Sequence, residues 1–355
     1  QCWPVITGAR LRDYHLAHSS TVPAAGDSPA INAGTYSLLD PPLPTDVAGA
    51  TRIVGNKLDI GAFESPVDDR HNYVVSNTLD NGNNSDLSAN PHSLRWAILN
   101  AKNNASIGGS FTISFDVPCG SIFTVNAAAP LPDVDIDLTV DGQTNPGWLP
   151  NNSIAGFQAT LCVALYGGNT LVNALRTVGN GRLTVRGLTL FSFTGAALSF
   201  GGGAGSVVEG NFITLNGDGI AISAASGSVS IGAAAPAARN VITGNTNIGI
   251  SLANTGGFNH VVYNLIGLGA DGATGVGNGR GIVVTGSPYN IITGNSIDAN
   301  TGPGLTLTSA ASNANVVQGN RFGLAEIGQN DVSNGSPAIW VTSGATNNAI
   351  GAVLT

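Results

Sequence analysis

The stretch Val207-Val208-Glu209-Gly210-Asn211 decides the fold, because close copies of it return along the rest of the chain. Each copy is an apolar pair that leads into a turn ending in asparagine. The copies are VITGN at 241–245, VVYN at 261–264, IITGN at 291–295 and VVQGN at 316–320. A unit this short cannot bury its own apolar face and must stack on copies of itself. The repeat therefore predicts a solenoid.

A second series of apolar strands runs in step with the first. Its members start at Gly219, Gly249, Gly281, Gly304 and Ala338. The spacing varies from 23 residues (281 to 304) to 34 (304 to 338). Stacked coils tolerate such variation, since insertions are absorbed at the turns, and residues 269–275 read as one insertion. The pattern has a period of two and no helical period, which favours parallel coils of β-strands, right-handed as parallel crossovers nearly always are.

The repeated asparagines are predicted to stack. Asparagine tolerates the left-handed backbone that a sharp corner needs, and equivalent amides in stacked coils can bond in a ladder. We expect one edge of the solenoid to carry the asparagines at positions Asn211, Asn245, Asn264, Asn295 and Asn320.

One amphipathic helix precedes the repeats. Ser93 is a suitable N-cap, and Leu94, Ala97, Ile98 and Ala101 follow at helical spacing. This predicts a helix near 94–103 that covers the N-terminal end of the solenoid. The fold class is all-β: a right-handed parallel β-helix over 71–355, with one short capping α-helix and an irregular N-terminal segment over 1–70.

Composition excludes several functional classes. The 355 residues are 10% charged, include 49 glycines and carry a formal net charge of −8. With 13 Lys and Arg and no basic stripe, nucleic-acid binding is not expected. No apolar run reaches the roughly 20 residues of a membrane helix, so membrane insertion is not expected either. The sequence lacks an initiator Met and a signal peptide, so we expect a processed product or a segment of something longer.

Two cysteines lie in the same apolar region. Cys119 and Cys162 either pair as a disulfide across neighbouring coils or remain as two buried thiols. Cys2 has no evident partner.

Acidic residues suggest calcium as the one cofactor to consider. Asp133, Asp135, Asp137 and Asp141 alternate along one predicted strand face, and the polar loop from Asp80 to Asp86 is a second candidate. Calcium prefers such oxygen ligands. The alternative is that both are solvated surface, since turns and exposed strand faces use the same residues.

No catalytic residue is assigned from the sequence. Glycosidases need two carboxylates about 5–10 Å apart, whereas the acidic residues after position 207 occur singly. Asp298 is the best single candidate, with a solvated strand-end aspartate as the alternative. A polysaccharide lyase would also need Lys or Arg near the substrate carboxylate, and the arginines Arg239, Arg280 and Arg321 are scattered along the sequence. Exposed aromatics such as Tyr289 and Trp340 either stack on sugars or pack in the core or an interface.

Several segments resemble a known group of proteins. The helix SLRWAILNA (93–101), the strand DLTVDGQTNPGW (137–148), NVITGN (240–245) and NLIGLGADGATGVGNG (264–279) are similar to the secreted right-handed parallel β-helix repeat proteins of bacterial surfaces. Residues 28–64 resemble the closing segment found at the C-terminal end of many such proteins, but here they precede the opening segment. The resemblance implies an extracellular or cell-surface location.

The expected function follows from this resemblance. We expect an extracellular structural or adhesive protein without a catalytic role, with surface glycans as further partners. Either its copies assemble head-to-tail into a fibre through residues 28–64, or the chain spans the junction of two β-helices in a giant surface protein. The alternative is a carbohydrate-active enzyme, either a polysaccharide lyase or a glycoside hydrolase, or a glycan-binding β-helix.

Overall fold

The computed structural model describes residues 71–84, 90–127, 129–223, 228–328 and 331–351. The closing-type segment at 28–64, Cys2 and Asp86 lie outside these residues. The head-to-tail contact expected through residues 28–64 therefore stays a prediction.

The chain winds through three parallel sheets. Sheet I contains β1 (Asn72–Val75), β2 (Phe111–Phe115), β4 (Asp137–Asp141), β7 (Arg182–Arg186), β10 (Ser206–Glu209), β13 (Val229–Ile231), β16 (His260–Val262), β19 (Ile291–Thr293), β22 (Val316–Gln318) and β25 (Ala349–Ile350). Sheet II contains β3 (Ser121–Thr124), β5 (Val163–Tyr166), β8 (Leu188–Phe191), β11 (Phe212–Thr214), β14 (Val241–Thr243), β17 (Leu265–Ile266), β20 (Ser296–Ile297) and β23 (Arg321–Phe322). Sheet III contains β6 (Leu175–Thr177), β9 (Ala196–Phe200), β12 (Asp218–Ser223), β15 (Ile248–Ala253), β18 (Arg280–Thr285), β21 (Leu305–Thr308) and β24 (Ile339–Thr342).

Each coil visits sheets I, II and III in that order, so a strand pairs with the strand one coil before and one coil after it. Val208, for example, lies beside Val185 on one side and Ile231 on the other. Period-two alternation turns one side of every strand inward, and equivalent apolar residues stack in columns along the interior. The right-handed parallel β-helix predicted from the repeats is confirmed.

One α-helix, α1 (Leu94–Asn103), closes the first coil. Ser93 accepts a hydrogen bond from the Trp96 amide as N-cap, and the apolar face of the helix joins the interior cluster. The helix lies between β1 and β2, where the described chain has no strand of sheets II and III. It therefore covers the N-terminal end of the interior, at the residues predicted. In the described part of the chain, 3₁₀ turns span Ala105–Ile107, Gly142–Thr144 and Pro236–Ala238.

Cys119 and Cys162 form a disulfide. Of the two interpretations left open by the sequence, the structure has the covalent one. The bond ties the segment that enters β3 to the start of β5, its neighbour in sheet II. Such bonds persist in oxidising compartments, which fits an exported protein.

Asparagine ladders occupy all three corners of the solenoid. The corner between sheets I and II holds Asn211, Asn240, Asn264, Asn295 and Asn320, with amide-to-amide distances of 2.9–3.1 Å. The corner between sheets II and III holds Asn216, Asn245, Asn278, Asn300 and Asn334. The corner between sheets III and I holds Asn259, Asn290, Asn315 and Asn348.

The prediction of a single edge is therefore wrong for one residue. Asn245 belongs to the second ladder, and Asn240 takes its place in the first. The physical reason is that residues 241–243 form a strand of sheet II, not sheet I. The corner after sheet I and the corner after sheet II require the same turn and the same buried amide, so they carry the same sequence pattern.

Replacing a central ladder residue should weaken the whole solenoid. The Asn264 amide group donates to the carbonyls of Ile231 and Val262, and its oxygen accepts from Asn240. Asn264→Ala leaves these buried groups unpaired and should cost about 2–4 kcal/mol, measured from urea denaturation midpoints. Asn313→Ala, at a partly exposed asparagine outside the ladders, should cost less than about 1 kcal/mol. Equal losses for the two variants would contradict this role.

Candidate functional site

The acidic residues proposed for calcium form ion pairs wherever the structure describes them. The pairs are Asp80 with Arg95, Asp133 with Arg176, Asp135 with Lys102, Asp137 with Arg182 and Asp141 with Arg186. The hydrogen bonds from Arg176 hold the pKa of Asp133 below its usual value. Among the described residues, no three or more His, Cys, Asp and Glu side chains come together as ligands for a metal ion. The geometry therefore gives the calcium interpretation no support.

A cleft of about 410 Å³ opens at the corner between sheets I and II, over the C-terminal coils. We call it the corner cleft. The residues that line it and carry the argument below are Tyr263, Gly294, Gly319, Arg321, Glu326 and Arg239. They come from distant parts of the sequence, and stacking of the coils brings them together.

The cleft exists because two corner residues lack side chains. Gly294 and Gly319 hold the position just before the ladder asparagine, with φ of 66° and 62°. Tyr263 holds the same position one coil earlier, with φ of 63°. A Cβ added at Gly294 would lie 3.2 Å from Cδ2 of Tyr263, so the glycine leaves the space beside the ring open. A left-handed backbone destabilises the folded state by about 1–2 kcal/mol at a residue with a Cβ, and Tyr263 is such a residue.

Arg239 lies beneath the tyrosine. Its guanidinium carbon is 4.6 Å from the centroid of the Tyr263 ring, and its Nε donates to the Tyr263 carbonyl at 3.1 Å. The side chain is 2% exposed. Its Nη1 donates to Glu326 at 2.7 Å and to the Gly156 carbonyl at 3.1 Å. The buried cation is therefore neutralised, and it supports one face of the ring.

Asp298 anchors the loop that carries Glu326. Its side chain is fully buried and accepts hydrogen bonds from the amides of Gly323 and Leu324 and from the Ser296 hydroxyl. Burial outweighs these bonds and the attraction of the nearby Arg321 charge, and it raises the pKa of Asp298 to about 6. The best catalytic candidate from the sequence is thus enclosed, and it positions a wall of the cleft.

An irregular segment at 149–161, which we call the strap, lies against the outer face of sheet II. Phe157 packs there against Val241, Leu265 and Leu268, and its amide donates to the Ala270 carbonyl. The Gly156 amide donates to Glu326 at 2.9 Å. The strap was not predicted, since it carries no repeat and its contacts are more than 80 residues away in sequence.

Arg321 supplies the accessible charge of the cleft. It is exposed, and its Nη1 donates to the Ala325 carbonyl at 2.8 Å. Within the described residues it forms no ion pair, in contrast to Arg239 and Glu326, which neutralise each other. The corner cleft can therefore offer one guanidinium and one supported aromatic ring to a ligand.

Residues 163–355, more than half of the chain, match the family model described as periplasmic copper-binding protein (NosD). The chain belongs to the NosD family. The periplasmic description of the family makes this NosD-family chain an exported protein. None of the helices in the described part of the chain has the length and apolar character needed to cross a membrane.

Two solved structures are similar to the chain. The A-module of the mannuronan C-5 epimerase AlgE6 from Azotobacter vinelandii is 19% identical, with 72% of this chain and 70% of that chain covered and a TM-score of 0.48. The periplasmic alginate epimerase AlgG is 14% identical, with 68% and 74% covered and a TM-score of 0.31. No curated protein matches the chain.

The raised pKa of Asp298 predicts a specific pH dependence. As the pH rises from about 4 to about 6, the unfolded chain loses this proton before the folded chain does, so the folded state is progressively destabilised. Asp298→Asn cannot ionise. The unfolding free energy of the wild type relative to this variant should fall by an amount on the order of 2 kcal/mol across that window and then level off.

The measurement is thermal unfolding from pH 4 to pH 7. Asp271→Asn is the matched control, because hydrogen bonds from Thr274 lower the pKa of Asp271 and any dependence it adds lies below this window. Parallel curves for the wild type and Asp298→Asn would contradict the prediction.

Proposed function

We propose that this exported β-helix is a carbohydrate-binding protein that holds an acidic polysaccharide in the corner cleft. The observation that carries the proposal is the exposed guanidinium of Arg321 in the same cleft as the supported ring of Tyr263. Arginine binds carboxylates with two parallel hydrogen bonds, and the flat, apolar face of a sugar ring packs against an aromatic ring. An apolar surface with a few convergent polar groups is typical of ligand sites.

The strain at Tyr263 supports a role in binding. The next two coils place glycine at the same corner position, and the turn there is made without strain. A bulky side chain held in the left-handed region is uncommon and clusters at functional sites. The cation–π contact with Arg239, worth about 0.5–1 kcal/mol, offsets only part of the cost.

Binding fits the cleft better than bond cleavage. Hydrolysis of a glycosidic bond generally needs two carboxylates that reach the substrate. Both carboxylates of this region are engaged elsewhere: Asp298 is enclosed by three donors, and Glu326 holds Arg239 and the strap. A general base must also lie within hydrogen-bond reach of the proton it removes. The lyase or hydrolase alternative is kept as an outcome of the experiment below.

Copper, named in the description of the family, does not fit the described residues. Copper sites in proteins are built from histidine, cysteine and methionine. The chain has no methionine, and Cys119 and Cys162 are joined to each other. The described histidines, His71, His92 and His260, do not come together with other His, Cys, Asp or Glu side chains as a metal-binding group. We therefore assign no step to copper.

Arg321 should decide the preference for acidic sugars. Arg321→Ala removes the charge-assisted hydrogen bonds and should weaken binding of oligogalacturonate or oligomannuronate by about 10- to 100-fold in isothermal titration calorimetry. Arg280→Ala, which removes an exposed arginine from β18 in sheet III, is the matched control and should change little.

Neutral cello-oligosaccharides should bind the wild type more weakly than the oligouronates. Equal affinities for both sugars, or equal effects of the two arginine variants, would overturn the proposal. Shortening of the oligouronate during the titration, detected by mass spectrometry, would favour the enzyme alternative instead.

Replacing Tyr263 should weaken ligand binding and leave the stability of the fold nearly unchanged. Tyr263→Gly removes the backbone strain together with the cation–π contact, so the free energy of unfolding should stay within about 1 kcal/mol of the wild type. Oligouronate affinity should nevertheless fall by about tenfold. Leu215→Gly is the control, because Leu215 has a similar φ of 57° and an exposed apolar side chain, but lies at the corner between sheets II and III. Tyr263 would be structural if its variant lost stability and kept its affinity.

A further inference from the structure

Two aromatic rings stack on the surface at the corner between sheets III and I. Phe258 and Tyr289 lie on successive coils, with ring centroids 5.2 Å apart and planes inclined by 10°. They are 58% and 49% exposed and take no part in the interior cluster. We call this pair the platform. Because the stacked rings leave apolar surface exposed, they are a candidate interaction surface rather than part of a core.

The two platform residues have the same left-handed backbone conformation as Tyr263. Phe258 and Tyr289 immediately precede the ladder residues Asn259 and Asn290, with φ of 60° and 55°. On the next two coils the same position is held by Ala314 and Asn347, which also have positive φ. The corner conformation is thus common to the repeat, whereas the aromatic side chain is confined to these two coils.

Within the described residues, Phe258, Tyr263 and Tyr289 are the phenylalanines and tyrosines with positive φ. All three adjoin two neighbouring strands. Phe258 and Tyr263 flank β16, and Tyr289 lies just before β19. Strained aromatic residues are therefore concentrated at both edges of one patch of sheet I.

The surface between the two edges is neutral and mixed in polarity. Its outward-facing residues are His260 and Val262 on β16, Ile291 and Thr293 on β19, and Val316 and Gln318 on β22. Earlier coils of the same sheet carry ion pairs instead, among them that of Asp141 with Arg186. From Phe258 to Tyr263 the extended chain covers about 16 Å. A narrow, extended ligand such as a glycan chain can span this distance.

We infer that the polysaccharide held in the corner cleft continues along β16 and β19, over the width of sheet I, and ends on the platform. The inference rests on the proposed function and adds a second anchor to it. Arg321 and Tyr263 take the acidic sugar at one edge of sheet I, and Phe258 with Tyr289 takes the face of a sugar at the other. Thr293 and Gln318 supply hydrogen bonds to hydroxyl groups between the anchors. The site therefore recognises an extended acidic glycan and discriminates by its length.

The test compares short and long oligouronates on the full chain. Phe258→Asn and Tyr289→Asn remove the rings but keep a residue that tolerates positive φ, as Asn347 does at the same corner two coils after Tyr289. Leu215→Asn is the matched control, since it removes an exposed apolar side chain from another corner with the same backbone conformation.

A disaccharide should bind the wild type and both platform variants with equal affinity, because it reaches only the corner cleft. An octasaccharide should bind the wild type about tenfold more tightly than it binds either platform variant. Arg321→Ala should weaken the binding of both the disaccharide and the octasaccharide. Unchanged octasaccharide affinity in both platform variants would overturn the second anchor and leave the corner cleft intact.

Two further outcomes have distinct meanings. If neither oligouronate binds the wild type, the proposed function itself fails, and the second anchor fails with it. If the platform variants change the sedimentation coefficient of the chain and leave octasaccharide binding unchanged, the platform is a contact between copies of the chain, which also overturns the inference.

Discussion

The buried asparagine ladder is the interaction on which the rest of the structure depends. A coil with three short strands has three sharp corners, and each corner turns backbone amides and carbonyls away from the sheets. A ladder residue such as Asn264 satisfies groups on three coils: its oxygen accepts from the preceding ladder residue, and its amide donates to carbonyls of its own and the preceding coil and to the next ladder oxygen. The corners can therefore be tight and still carry few unpaired buried groups.

The same ladders determine where function can be placed. The residue that precedes a ladder asparagine often takes a left-handed backbone, and its side chain points away from the interior. Glycine meets this demand without strain, as at Gly294 and Gly319, and leaves a smooth corner. Where φ is positive, a larger side chain at this position lies outside the ladder, because the ladder beneath it leaves no room inside. Tyr263, Phe258 and Tyr289 are displayed in this way, on a scaffold whose strands stay unchanged.

Much of the fold could be predicted from sequence because its determinants are local. Period-two strands, the repeated apolar pair and the capped helix at 94–103 each depend on a few neighbouring residues. Asn245 was misplaced because the corner after sheet I and the corner after sheet II require the same sequence pattern. The pattern alone therefore does not show to which corner a given asparagine belongs. The strap and the ion pairs were beyond such reasoning. Asp133 and Arg176, for instance, are brought together by a coil whose length is set by insertions that follow no period.

The candidate site was visible only in part for the same reason. Tyr263 was read only as part of one repeat copy, because Arg239, which contacts its ring, lies one coil earlier, and Glu326, which pairs with Arg239, lies on a loop two coils later. Asp298 was noticed as a lone carboxylate, and the structure gives it a different task, since three donors enclose it. Single residues can be noticed in a sequence, whereas the charge balance of a cleft depends on contacts between coils.

The net negative charge of the chain is compatible with an acidic ligand. At physiological ionic strength, interactions between exposed charges are largely screened beyond about 8 Å, so charges on remote coils contribute little at the corner cleft. Locally, Glu326 is neutralised by Arg239, and the burial that raises the pKa of Asp298 favours its neutral form in mildly acidic solution. On earlier coils of sheet I, the carboxylates of Asp137 and Asp141 are paired with arginines as well. The exposed guanidinium of Arg321 is then the charge that a ligand meets first. Under the proposed function, the charge of the exposed group at the cleft therefore matters more for an anionic ligand than the sum of charges over the chain.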